Sequence, residues 1–158
     1  MFPLFDARRG GRPLGRGILL STATEREFEL AGGPYAATAA RLALDNLDAE
    51  LDPVLAQDLR LLVTEAVKNS VQHAGVGPED SIGLKVSVQS DMIRIEVTDD
   101  GPGFEPDASR PTEDEVTGWG LFLIDQLSER WGVVREKGTT VWFEVGRGDH
   151  SSRPEAAA

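Results

Sequence analysis

Residues 82–97 contain two runs of strict alternation. Ile82, Leu84, Val86 and Val88 interleave with Gly83, Lys85, Ser87 and Gln89, and Ile93, Ile95 and Val97 interleave with Arg94, Glu96 and Thr98. A period of two puts every apolar side chain of a strand on one face of a sheet. Ser90-Asp91 between the runs reads as a tight turn, so the two runs form an antiparallel hairpin. A hairpin with one apolar face is not stable alone in water, and another layer must cover that face.

The covering layer is written on both sides of the hairpin. Glu25 to Leu30 alternates and reads as a further half-buried strand, ended by Gly32-Gly33-Pro34. Pro34 suits the first turn of a helix. From Tyr35 to Leu51, Ala39, Leu42, Ala43, Leu47 and Leu51 recur at helical spacing. Asp52-Pro53 opens a second helix, with the stripe Leu55, Leu59, Leu62, Val63, Ala66, Val67 and Val71, closed by Gly75-Val76-Gly77-Pro78. Leu121 to Glu129 is a third amphipathic segment. Trp131–Arg135 and Thr139–Val145 form a second hairpin across Glu136-Lys137-Gly138. The expected fold class is α+β: a two-layer sandwich of about three helices on one face of a mixed, mainly antiparallel sheet.

At 158 residues the chain suits one domain with a real core, expected over 21–146. Residues 1–20 read as an irregular, solvated basic arm and 147–158 as a flexible polar tail. With no cysteine, disulfides and thiolate chemistry are excluded. There is no signal-peptide core and no apolar run near the roughly 18 residues that a spanning helix needs. These features point to a cytoplasmic protein without membrane contact. The net charge of -11 argues against direct nucleic-acid binding.

Four segments carry chemistry. On the second helix, Glu65, Asn69 and His73 follow one another at intervals of four, along one face. Asn69 offers a hard oxygen suited to Mg²⁺, and Glu65 can accept a proton. Asp99-Asp100-Gly101-Pro102-Gly103 follows a strand directly, with glycines that allow close backbone approach and an Asp able to accept from an exocyclic amine. Thr117-Gly118-Trp119-Gly120-Leu121 opens a helix, where unpaired N–H groups favour phosphate. Lys137-Gly138-Thr139-Thr140 turns the last hairpin. Neither the P-loop nor the dinucleotide fingerprint is present, because no Gly-Lys-Ser/Thr follows and the third glycine is missing. Residues 104–117 form a loop with Pro106, Pro111 and five acidic residues, long enough to suggest function or mobility.

In order and placement these four segments resemble the GHKL (Bergerat-fold) ATPase superfamily. Glu65 and Asn69 match its N box, Asp99, Gly101 and Gly103 its G1 box, and Gly118 and Gly120 its G2 box. Gly138 and Thr139 match its closing Gly-Thr. The resemblance implies ATP and Mg²⁺ as cofactors, with Asn69 as metal ligand and Glu65 as general base. It implies that Asp99 bonds the adenine amine and that Gly101 and Gly103 shape the pocket. Residues 104–117 would be a lid, Gly118, Gly120 and Leu121 would meet the phosphates, and Thr139 would lie near the adenine. His73 and Trp119 fall within the same nucleotide-binding set.

Glu-Ala-Val-x-Asn and Lys-Gly-Thr-Thr are similar to the small branch of bacterial anti-sigma-factor serine/threonine kinases. That branch implies a sigma factor and a STAS-type anti-anti-sigma protein as partners, and admits a homodimer. One position departs from it. Where the branch often has an arginine that reaches the γ-phosphate, this chain has Val116, after Glu113-Asp114-Glu115. Arg110 in the same loop is a candidate substitute. Two functions therefore remain: a kinase acting on an anti-anti-sigma partner, or a nucleotide-binding module that sequesters a partner with little or no phosphotransfer.

Overall fold

The computed structural model describes residues 24–47, 51–73, 75–115 and 118–148. The alternating runs become strands: β1 (Thr24–Ala31), β2 (Ser81–Val88), β3 (Met92–Asp99), β4 (Arg130–Glu136) and β5 (Gly138–Gly146). They form one five-stranded sheet in the order β1-β2-β3-β5-β4, and every pairing is antiparallel. Register is set by the apolar face. Phe28 pairs with Leu84, Leu84 with Val97, Val97 with Val141 and Val141 with Val133. A second row runs Val86, Ile95, Phe143, Trp131. A slip of one residue would turn all of these into water. Each such side chain contributes about 1.5–3 kcal/mol on burial.

Three helices cover that face: α1 (Ala36–Asp45), α2 (Pro53–His73) and α3 (Trp119–Leu127). Asp52 caps α2, its Oδ1 accepting from the N–H groups of Val54 at 2.9 Å and Leu55 at 3.3 Å, with Pro53 at the first helical position. The α2 stripe is buried as expected, from Leu55 through Val67. The α1 stripe is rotated from the expected one. Ala36, Ala40, Leu44 and Leu47 are buried, whereas Leu42 is 63% exposed. Alanine and leucine lie all around this helix, so periodicity does not select a face. Nor does α1 run on to Leu51: it stops at Asp45, and Leu47 N–H closes a tighter turn onto Leu44 O at 2.9 Å. The third helix begins and ends two residues earlier than expected, at Trp119 and Leu127.

The basic arm at 1–20 and all but the first two residues of the tail from 147 lie outside the described residues. Among the described residues, no helix is long and apolar enough to cross a membrane.

The open face of the sheet is polar but not empty. Trp142 lies across Gly132, where a methyl group would come within 2.9 Å of the indole, and Arg94 stacks over the ring at 4.2 Å. Glu144 beside it is buried, accepting from Arg94 Nη1 at 3.0 Å and Arg130 Nε at 2.7 Å. Burial alone would push its carboxyl up, but the hydrogen bonds and charges of Arg130 and Arg94 outweigh that and hold it below the ordinary 4.5. A depressed folded-state value means that the unfolded chain binds more protons in this range. The stabilisation is therefore complete above the ordinary value and is lost as pH falls through the folded one. Glu144→Gln is expected to lower Tm at neutral pH by roughly 2–6 °C, the effect of about 1–2 kcal/mol in a domain of this length. Thermal scans down to about pH 3 should then show the two proteins converging. A constant gap across that range would mean that the ionisation does not contribute.

Candidate functional site

The last turns of α2 meet the first turn of α3, and the site lies along this junction. Glu65, Asn69 and His73 project from α2 one turn apart. Gly118 caps α3 with φ 91°, a left-handed conformation that favours glycine. Gly120 packs directly on α2. A methyl group there would lie 3.2 Å from both polar atoms of the Asn69 amide and 3.4 Å from Glu65 Oε2. The absence of a side chain at 120 thus lets the helix N-terminus close onto the Glu65–Asn69 row.

Asn69 Nδ2 is buried and has no hydrogen-bond partner. Buried polar atoms are nearly always paired, and an orphan costs about 1–3 kcal/mol. Which amide atom faces the cavity is set by a half-turn about the last side-chain bond. Either a donor to phosphate or a hard oxygen for Mg²⁺ can therefore be presented. Among the described residues, no group of three or more His, Asp or Glu side chains is gathered to hold a metal. A Mg²⁺ ion held by one protein oxygen, phosphates and water fits that donor set.

A cavity of about 340 Å³ opens beside Asn69, large enough for a small polar ligand. Asn69, His73, Gly118 and Leu121 form its helical wall, and residues 104–115 form the other, with Phe104, Ser109 and Pro111 among them. The His73 and Phe104 rings meet at 5.5 Å across it. Glu105, Asp107 and Glu115 make the loop wall acidic, and Arg110 also lines it. Hydrogen bonds from the Ser109 hydroxyl and backbone N–H hold the Asp107 carboxyl below its ordinary value.

A second cluster lies at the paired ends of β3 and β5. Asp99 is buried, and its Oδ1 accepts from Gly101 N–H at 2.8 Å. Thr139, its partner across the strands, donates to Gly101 O at 3.2 Å. Gly103 has φ 85°, and a methyl group there would strike Thr139 Oγ1 and Arg135 Nε at 2.9 Å. Here Asp99, Gly101, Gly103 and Thr139 come together, as the family resemblance implied.

Two residues sit elsewhere. Glu65 stands behind Gly120 instead of lining the cavity, with Lys68 Nζ 3.5 Å from its carboxylate. Trp119 points away: its Nε1 donates to Glu115 O at 2.9 Å and its ring meets Phe122 edge-on. It ties Glu115, in the loop before α3, to the first turn of that helix. Val116 and Thr117 lie outside the described residues. Glu105, Asp107 and Ser109 were not singled out from sequence, and only their membership in an acidic, proline-bounded loop marks them.

Comparison with known proteins gives a consistent family. A family model described as a histidine kinase-like ATPase domain matches residues 30–145. The serine-protein kinase RsbW of Listeria innocua is 31% identical over 97 residues, covering 54% of this chain and 62% of that protein. RsbW of Staphylococcus epidermidis is 32% identical over 98 residues with the same coverage. The matched segment thus spans less than two thirds of these relatives. A crystal structure of the RsbU and RsbW domains of Rv1364c from Mycobacterium tuberculosis superposes with a TM-score of 0.59 at 21% identity. That match covers 78% of this chain and 32% of the other, and the likeness is one of fold.

Proposed function

Since the chain belongs to the histidine kinase-like ATPase domain family, we propose that it is a cytoplasmic Mg·ATP-binding regulator. In this reading it is an anti-sigma factor and serine/threonine kinase that phosphorylates a STAS-type anti-anti-sigma partner. The observation that carries the nucleotide half is the buried, unpartnered Asn69 Nδ2 beside a glycine-built helix N-terminus. Asn69 would hold Mg²⁺, whose charge neutralises phosphate oxygens. Gly118, Gly120 and Leu121 would meet the phosphates, and Asp99 with Thr139 would take the adenine end. The kinase half rests on similarity to proteins named serine-protein kinase RsbW.

In the transfer step the partner's serine oxygen would bond to the terminal phosphorus as the bond to the ADP oxygen breaks, and its proton would pass to Glu65, whose carboxylate must first turn from Lys68 toward the cavity. Glu65→Gln is expected to lower transfer of labelled γ-phosphate to the partner by roughly 10²–10⁴-fold, the range for removing a general base. ATP affinity should be unchanged. If the variant transfers phosphate at the wild-type rate, Glu65 is not the base.

A second reading draws on the Glu65–Lys68 pair and the acidic lid wall. Here the protein binds nucleotide and sequesters its partner without transfer. Tight ATP binding with no labelling of any partner would select that reading.

A further inference from the structure

Building on the nucleotide-binding reading, we propose that Ser109 is a phosphorylation site that the protein modifies by itself. Its hydroxyl takes the terminal phosphoryl group of a nucleoside triphosphate held in the same cavity, and Asp107 accepts the proton. Ser109 and Asp107 both line the cavity beside Asn69. Among the described residues that line it, Ser109 alone carries a hydroxyl. It is exposed, so no rearrangement is needed to uncover the oxygen.

The chain holds that oxygen close to where phosphates would lie. Pro111 is buried, and its Cγ would be 3.6 Å from a methyl group on Gly118. Two residues of chain reach at most about 7 Å, so Ser109 is tethered beside the N-terminus of α3. Backbone N–H groups suit phosphate there, and Asn69 lines the same space.

The serine also comes with a proton acceptor. Asp107 Oδ1 accepts from Ser109 N–H at 2.9 Å, and the Ser109 hydroxyl bonds the same carboxylate. The turn needs only the N–H, which any residue but proline would supply. The hydroxyl adds an oxygen nucleophile with a carboxylate already against it, the pairing that phosphoryl transfer to an alcohol uses. Such transfer depends on positioning more than on a strong base, so an acidic carboxylate suffices. In the step, Ser109 Oγ bonds to the terminal phosphorus while the bond from that phosphorus to the ADP oxygen breaks. The hydroxyl proton passes to Asp107, and ADP leaves with the electron pair. The products are phosphoserine at 109 and ADP.

The test is incubation of the full chain alone with Mg²⁺ and ATP labelled in its γ-phosphate, with ATP binding measured in parallel by calorimetry. Wild-type protein should take up label, to a limit of one phosphoryl group per chain, at a rate constant independent of protein concentration. Peptide mapping should place an acid-stable phosphate on Ser109. Ser109→Ala should abolish the label, and Ser109→Thr should restore it as phosphothreonine at the same position. Asp107→Asn can still accept from the 109 N–H but cannot take the proton. It should slow labelling by roughly 10²–10⁴-fold. Asn69→Ala at low ATP should slow it as well, which a contaminating kinase would not show. Label that persists in Ser109→Ala, maps to Thr112 or Thr117, or is acid-labile as on His73 would overturn the proposal. So would wild-type protein that binds ATP and takes up no label, and the nucleotide reading would then stand without it. If wild-type protein does not bind ATP, both fall together.

Discussion

Asn69→Ala is expected to cost roughly a hundredfold in Mg·ATP affinity while leaving the ligand-free protein as stable as wild type, or more stable by about 1 kcal/mol. The two effects have one origin. In the ligand-free fold the Asn69 Nδ2 is buried without a partner, so the side chain carries a desolvation cost that nothing offsets. Alanine removes that cost and is the better helix former by about half a kcal/mol. The space left beside Gly120 opens onto the cavity, so water can fill it. The same removal deletes the side-chain amide on this wall that a metal–phosphate group could use. A structural asparagine would behave in the opposite sense, losing stability on truncation. Urea denaturation and calorimetry on one preparation separate the cases. A destabilised variant with unchanged nucleotide affinity would show Asn69 to be a packing residue.

How far this site could be read from sequence depends on the kind of signal. The hairpin over 82–97 was legible because a two-residue period has a single solution once one face is buried, whereas the pairing of β3 with β5 that joins it to the second hairpin was not. The Asp52-Pro53 start of α2 was legible because capping is local chemistry. The face of α1 was not. Ala36, Ala39, Ala40, Leu42, Ala43 and Leu44 satisfy more than one helical stripe, and only contact with α2 and β1 chooses among them. At the site, residues on regular elements meet as the family resemblance implied, and not through any spacing rule: Asn69 touches Gly120 and Asp99 lies opposite Thr139. Residues whose direction depends on a loop or on a rotamer did not. Trp119 is flanked by the two glycines yet turns to Glu115. Glu65 shares the Asn69 row yet sits behind Gly120, because successive i+4 positions drift around the helix by about 40°. The loop residues that line the cavity with Asn69 have no period at all, and only the folded chain assigns them.

Gly138→Ala carries the largest expected effect on stability, about 3 kcal/mol or more, through two separable causes. The first is conformational. Gly138 has φ 99°, outside the region that an L-residue adopts without strain. The second is steric. A methyl group there would lie 2.1 Å from Asp99 O and 3.1 Å from Asp100 Cα. Both are backbone atoms, so no side chain can swing aside, and relief requires β3 and β5 to part where Asp99 pairs with Thr139. Gly75 isolates the first cause. Its φ is 64° and a methyl group there meets nothing within 4 Å, so Gly75→Ala should cost only about 1–2 kcal/mol from the left-handed backbone. The excess at position 138 then measures the clash. Because that clash falls on the strand end carrying Asp99, nucleotide affinity should drop with stability in Gly138→Ala and stay unchanged in Gly75→Ala. Equal losses of stability at the two glycines would mean that the turn relaxes away from Asp99. The Asp99–Thr139 pair would then not depend on the tight approach at Gly138.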